Sequence, residues 1–203
     1  ISLSIFLLSV RLVVYDEGIY KKEFSKYNVY ENLRGVDIEN INKEVLGYFK
    51  GKQNLESDFF TLREKEHLRD VKNLIQFLNI LLLSLAIILV VIAILLFNIG
   101  SIPIYIGKIL LLTSLIIWLI TGITYLSAIH GFKNSFDSFH EILFKEGSWL
   151  FDPVTEKIVV LYPEGFFYDM GKIILFVYFG YSLLFFLVGL TLELVDKHLQ
   201  QKI

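Results

Sequence analysis

Cysteine is absent from the 203 residues. That absence removes disulfides, thiolate nucleophiles and Cys-based zinc sites together, and it suits either side of a membrane. Charge is scarce as well: 20% of residues are charged and the net charge is -2, against about 25% charged residues in an ordinary globular chain. With no long basic run, nucleic acid is excluded as a partner. The motifs of enzyme-borne nucleophiles are missing: there is no Gly-x-Ser-x-Gly, no phosphate-binding loop and no Ser-x-x-Lys pair. No His-x-x-x-His pair points to a metal. An enzyme built from this chain takes its nucleophile from its substrate.

Apolar residues are abundant, at 55%. Leu74–Phe97 runs for 24 residues without a charge, Ile109–Ile129 for 21 and Ile173–Leu192 for 20. A membrane-spanning helix needs about 20 such residues, so all three qualify. Ile1–Tyr15 is a fourth apolar run. At about 1.5 Å per residue it covers roughly 22 Å of a roughly 30 Å hydrocarbon core, and it reads as the outer end of a truncated first span. It lacks the small-residue cleavage site of a signal peptide. The expected fold is therefore an all-α membrane protein with four transmembrane helices (1–15, 74–97, 109–129, 173–192). Two large loops, 16–73 and 130–172, form a small, mostly helical domain on one side. A link, 98–108, and a tail, 193–203, lie on the other. Lys and Arg number 15 in the 101 loop residues and 3 in the 22 of link and tail. Those near-equal densities give the positive-inside rule no vote.

Local signals fill in the loops. Asp37 is a good N-cap, and Ile38, Ile41, Val45, Leu46 and Phe49 follow at helical spacing. Thr61-Leu-Arg-Glu64 fits a capping box. No Gly or Pro interrupts the chain from there to Phe97, so one helix is expected to enter the second span from Thr61. Phe132, Phe136, Phe139 and Leu143 give another helix an aromatic face suited to a membrane interface. Trp149-Leu-Phe, a turn at Asp152-Pro153 and Lys157–Tyr162 read as a small β-hairpin. Asp169 is placed to cap the last span.

Few residues are equipped for chemistry. On a helix, Arg63, His67, Asp70 and Leu74 share one face. Asp70 or Glu66 can there orient the imidazole as a general base. The plainer reading is a solvated helix face laced by Glu, Lys and Arg. His140, one residue off the aromatic stripe, is either a second acid/base or oxyanion donor or a side chain snorkelling to water. His130 and His198 are weaker candidates. Arg11 interrupts the first apolar run about one turn below Tyr15, and either holds a phosphate or carbonyl oxygen or snorkels. Arg63, Trp149 and Tyr162 are further candidates for positioning a substrate.

Two stretches resemble the lipoprotein intramolecular transacylase (Lit) family. Thr61–Lys72 is similar to the signature at the start of that family's second span. Phe139–Phe167, with its Phe139-His140, Trp149-Leu-Phe-Asp-Pro153 and Tyr162-Pro-Glu164 elements, is similar to its second signature. With the order of spans and loops, the resemblance covers nearly the whole chain. It implies a multi-pass protein of the bacterial cell membrane with extracytoplasmic loops. The implied reaction moves the sn-2 acyl chain of an S-diacylglyceryl N-terminal cysteine to its α-amino group, giving a lyso-form lipoprotein. The implied partners are a diacylated lipoprotein and membrane lipids, with no cofactor and no metal. The family's catalytic histidines match His67 and His140: His67 is read as the base towards the amine and His140 as its partner. Spacing alone leaves open which of the two is the base. Two other readings stand beside it: a non-enzymatic membrane protein that binds a lipid or a partner, and a metal-dependent hydrolase of lipid headgroups.

Overall fold

A computed structural model describes residues 1–98 and 102–200. Among the described residues the chain is helical and has no strand. The helices are α1 (Ser2–Val14), α2 (Glu17–Lys26), α3 (Val29–Asn32), α4 (Ile38–Phe49), α5 (Leu62–Asn98), α6 (Ile102–Leu143), α7 (Ile158–Leu161) and α8 (Glu164–Gln200). By length and composition α5, α6 and α8 can each cross a membrane. Helix α1 is apolar but only 13 residues long.

The long helices run past the charge-free stretches into the flanking loops. Helix α5 begins where its capping box is, so His67 and the span share one rod. Helix α6 leaves helical geometry at Gly131 (ψ 62°) and then continues to Leu143. Helix α8 starts directly after Pro163, so Asp169 lies inside it rather than at its cap. Residues 99–101 of the expected link and 201–203 of the expected tail lie outside the described residues. The described parts of both are helical.

Arg11–Asn79 and Ser127–Lys172 form one compact unit, here the loop unit; Ile1–Val10, Ile80–Leu126 and Ile173–Ile203 form the span unit. In the span unit, Ile5, Ile117 and Tyr178 are buried, with Phe6, Trp118, Tyr181 and Phe185 against them. Neutral hydrogen bonds join its helices: Ser2 Oγ with Tyr178 Oη (2.6 Å), Trp118 Nε1 donating to Ser182 Oγ (2.8 Å), and Ser114 Oγ donating to the Ser182 carbonyl (3.0 Å). A Cβ on Gly189 would meet the Gly107 carbonyl at 2.9 Å, so glycine lets α6 and α8 approach here. Small residues at helix contacts are usual where lipid removes the hydrophobic drive to pack.

The loop unit is built differently. Asp16 caps α2 and Asp37 caps α4 through their side chains. Helix α4 buries Ile38, Val45, Leu46 and Phe49, the face the spacing predicts. Tyr20, Phe24, Tyr162 and Phe166 form an aromatic core with ring centroids 5.3 to 6.3 Å apart. The buried Asp169 carboxylate accepts from Lys26, from Tyr27 Oη (2.5 Å) and from Lys172 Nζ (2.6 Å). Burial opposes its ionisation, but those hydrogen bonds outweigh burial and hold the carboxyl well below the usual range.

The expected hairpin is a correction. Residues 158–161 are a helical turn, α7, despite two β-branched valines and an isoleucine. A strand needs a partner edge, and the segment before the turn is engaged elsewhere: the Leu150 carbonyl accepts from Arg63 (2.5 Å). The Ile158 N–H instead donates to Glu64 Oε1 (2.6 Å), which favours a helix start. Tertiary context overrides strand propensity here.

Candidate active site

Glu64 is fully buried, and both its oxygens are bound. Oε2 accepts from the Thr61 N–H (2.6 Å) and the Glu64 N–H donates back to Thr61 Oγ1 (3.3 Å), completing the capping box. Oε1 takes the Ile158 N–H. One carboxylate therefore fixes the first turn of α5 and the start of α7. Glu64 stands three residues before His67, a spacing that can bind metal, but its oxygens are committed to backbone donors. Among the described residues no group of three His, Asp or Glu side chains is arranged to hold a metal ion.

Arg63 fastens the segment after α6. Its Nη1 donates to both oxygens of Glu156 (2.8 and 2.9 Å), and its Nη2 to the carbonyls of Gly147 (2.8 Å) and Leu150 (2.5 Å). Glu156 also accepts from the Asp152 N–H (2.9 Å). The guanidinium lies over the Phe151 ring, 4.9 Å from its centroid. With its donors so engaged, Arg63 positions the loop.

That loop carries aromatic rings to the histidines. His67 has Phe144 at 5.0 Å and Phe151 at 5.4 Å. His140 has Phe136 at 4.2 Å, Trp149 at 4.8 Å, Phe139 at 5.4 Å and Phe144 at 5.5 Å. The two imidazoles lie 6.2 Å apart at an interplanar angle of 25°. Only 8% of His67 and 9% of His140 is exposed. The chain has brought two imidazoles from α5 and α6 into one aromatic cage.

Their hydrogen bonds differ. His140 Nδ1 is 2.7 Å from the Phe136 carbonyl oxygen. A carbonyl only accepts, so Nδ1 carries the proton and, in the neutral ring, Nε2 presents a lone pair. His67 Nδ1 is buried without a partner. Burial lowers the His67 pKa to about 4, with nearby His140 and Arg63 in the same direction and Asp70 opposing. Burial also lowers that of His140, against the Phe136 carbonyl and Asp137. Both rings are neutral near pH 7.

The other sequence candidates divide. Trp149 joins the cage. Asp70 makes no hydrogen bond to His67, and Glu66 is exposed, so neither orients the ring. The Tyr162 hydroxyl donates to Asn42 Oδ1 (2.9 Å) within the aromatic core. Arg11 pairs with Asn79 and Tyr15. His130 lines an open groove of about 410 Å³ with Glu164 and Tyr168, and neither cage histidine lines it. Spacing alone did not single out Glu156, Phe144 and Phe151. The capping box announces Glu64's local role but carries no trace of its bond to Ile158.

The family model described as lipoprotein intramolecular transacylase Lit matches residues 1–167. Among solved structures, the membrane-integral lipoprotein intramolecular transacylase Lit from Bacillus cereus is similar at TM-score 0.85 and 24% identity, over 97% of this chain and 92% of that one. A histidine-to-alanine variant of the same protein matches at TM-score 0.79 and 24% identity, over 97% and 90%. A histidine-to-arginine variant matches at TM-score 0.79 and 24% identity, over 97% and 88%. No curated protein sequence matches. The family match spans well over half the chain, and the aromatic cage, the two histidines and the membrane helices sit within a fold of that family: the chain belongs to the lipoprotein intramolecular transacylase Lit family and is an acyltransferase.

Proposed function

We propose that this chain moves the sn-2 acyl chain of a diacylated lipoprotein from its glyceryl ester to the α-amine of the same N-terminal cysteine, with His67 and His140 as the reacting pair. The observation that carries the reading is the aromatic cage holding two neutral imidazoles 6.2 Å apart. The amine nitrogen attacks the ester carbonyl carbon, and a tetrahedral intermediate forms. That nitrogen loses a proton, the bond from carbon to the glyceryl oxygen breaks, and the oxygen takes a proton. Ester becomes amide within one molecule, so no external energy source or co-substrate is needed.

The tautomers divide the labour, and they reverse the reading of His67 as the base. His140, with its lone pair on Nε2, accepts the amine proton and returns it to the glyceryl oxygen. In this reading His67 carries its ring proton on Nε2, leaving a lone pair at the unpartnered Nδ1, and donates to the developing oxyanion. A pKa near 4 suits His67 to remain a neutral donor. The cage rings exclude water, which keeps the acyl group from hydrolysis, and they bring two ends of one flexible lipid together. Trp149 covers His140.

The same reading includes a fourth membrane pass at α1 and loops facing outward from the bacterial cell membrane. Lys50→Cys and Lys157→Cys are expected to react with an impermeant maleimide in intact cells, and Lys197→Cys to stay silent. The reverse pattern would put the cage on the cytoplasmic side and end the lipoprotein reading.

The reaction is tested by incubating purified protein with a diacylated lipopeptide. Mass is expected to stay constant, while fragmentation moves one acyl chain from the glyceryl ion to the cysteine ion. A lipopeptide with an acetylated α-amine is expected to be inert. Release of free fatty acid from it would make water the acceptor and the chain a hydrolase.

A further inference from the structure

Arg11 stands in the apolar helix α1, and its Nη1 donates to Asn79 Oδ1 at 2.6 Å. Asn79 is itself a polar residue inside the charge-free stretch of α5, and its Nδ2 donates to the Tyr15 hydroxyl oxygen at 3.1 Å. Two cations share the Tyr15 ring. The Arg11 guanidinium carbon is 5.7 Å from its centroid and Lys50 Nζ, from the C-cap of α4, is 5.1 Å away. Both are exposed, and neither forms an ion pair with a described carboxylate.

What remains unused is a set of donors. Arg11 has further N–H groups, Lys50 has three, and the Tyr15 hydroxyl accepts from Asn79 and so keeps its own proton to give. Two like charges around one ring repel, most strongly beside hydrocarbon, where the dielectric is low. An anion between them offsets that cost. Its depth is set by the sequence: Asn79 lies about 7.5 Å beyond Leu74 along α5, and Arg and Lys reach outward from there to the headgroup layer. The anion offered in quantity at that depth is the lipid phosphate, and a guanidinium matches two phosphate oxygens.

We propose that Arg11, Lys50 and Tyr15 form a binding site for the phosphodiester of an anionic membrane phospholipid. The site is separate from the chemistry, since Asn79 is about 18 Å along α5 from His67. It anchors α1 and α4 to the headgroup layer.

Native mass spectrometry of the detergent-solubilised protein, titrated with phosphatidylglycerol, tests it. A Lys or Arg near an anionic lipid surface contributes about 1 kcal/mol, which is about fivefold in affinity. Arg11→Gln and Lys50→Gln are each expected to weaken phosphatidylglycerol binding about fivefold, and the double variant about 25-fold. Arg11→Lys should retain most of it. Diacylglycerol with the same chains, which has no phosphate, should bind all variants alike. Lys50 is an exposed capping residue, so Lys50→Gln keeps the test open should Arg11→Gln not fold. Unchanged phosphatidylglycerol binding in Lys50→Gln and the double variant would overturn the proposal. So would equal binding of inorganic phosphate, or displacement of phosphatidylglycerol by a diacylated lipopeptide, which would assign the site to the substrate.

Discussion

In the loop unit three buried carboxylates, Glu64, Glu156 and Asp169, each bind donors from more than one part of the chain, whereas the hydrogen bonds that join the helices of the span unit at Ser2, Tyr178, Ser114, Trp118 and Ser182 are between neutral groups. Both strategies follow from the solvent. A charge in hydrocarbon is costly, so the span unit packs with small residues and hydroxyls. Outside it, a buried carboxylate that finds all its donors can tie distant segments into one geometry. That stiffness lies where the imidazoles are: Glu64 fixes the helix turn below His67, and the Arg63–Glu156 pair holds the segment bearing Trp149 and Phe151. The comparison teaches that the cage is fastened by charge and the membrane part by fit.

The largest effect should come from the two nitrogen-bearing rings themselves. His67→Phe and His140→Phe keep an aromatic ring in the cage but remove the proton carriers. Turnover of lipopeptide is expected to fall about 10²–10⁴-fold, with melting in detergent little changed in His67→Phe, since His67 Nδ1 has no bond to lose, and lowered in His140→Phe by the lost bond to the Phe136 carbonyl. Near-normal turnover in both variants would make the cage structural only.

Next is the carboxylate staple. Glu64→Ala strands two backbone N–H donors, and breaking such a buried set costs about 3 kcal/mol or more. Unfolding by denaturant should show that loss. Turnover should fall with it, because the turn carrying His67 loosens. A neutral result would mean the loop unit does not depend on charge.

A smaller effect belongs to pH. The unfolded His67 titrates near 6.5 and the folded one near 4. Between those values the unfolded chain binds more protons, so stability is full above about 6.5 and falls as pH drops towards 4. His140, also lowered, adds in the same direction. Denaturant midpoints at several pH values should show the slope, and His67→Phe should flatten it.

Smallest of all is the span unit's hydroxyl. Ser182→Ala removes the acceptor of Trp118 Nε1, and membrane hydrogen bonds of this kind are worth about 0.6 kcal/mol. A loss as large as that of Glu64→Ala would erase the contrast between the two units.

Much of this was legible in the sequence wherever the signal is local. The Asp37 cap and its apolar spacing predict α4, and the Thr61–Glu64 box predicts the start of α5. The three long apolar stretches lie in α5, α6 and α8. Lys157–Tyr162 misled because its branched residues speak of strand while the deciding contact, Glu64 to Ile158, joins segments far apart in sequence. Arg63 looked like a substrate clamp for the same reason: its partners Glu156, Gly147 and Leu150 carry no mark of it. The histidines stood out through the family resemblance; the His140 tautomer follows from the Phe136 carbonyl one turn earlier in the same helix, but the burial that leaves His67 Nδ1 without a partner comes only from the fold.

The central claim is that acyl transfer stays within one molecule and runs on this chain's imidazoles. A crossover measurement tests it most directly. Two lipopeptides, one with deuterated acyl chains and a heavier peptide, are mixed with the purified protein and their products read by fragmentation. The account predicts that every cysteine carries the acyl chain it arrived with, and that His140→Phe abolishes both products. Mixed products, with a deuterated chain on the light peptide, would contradict it.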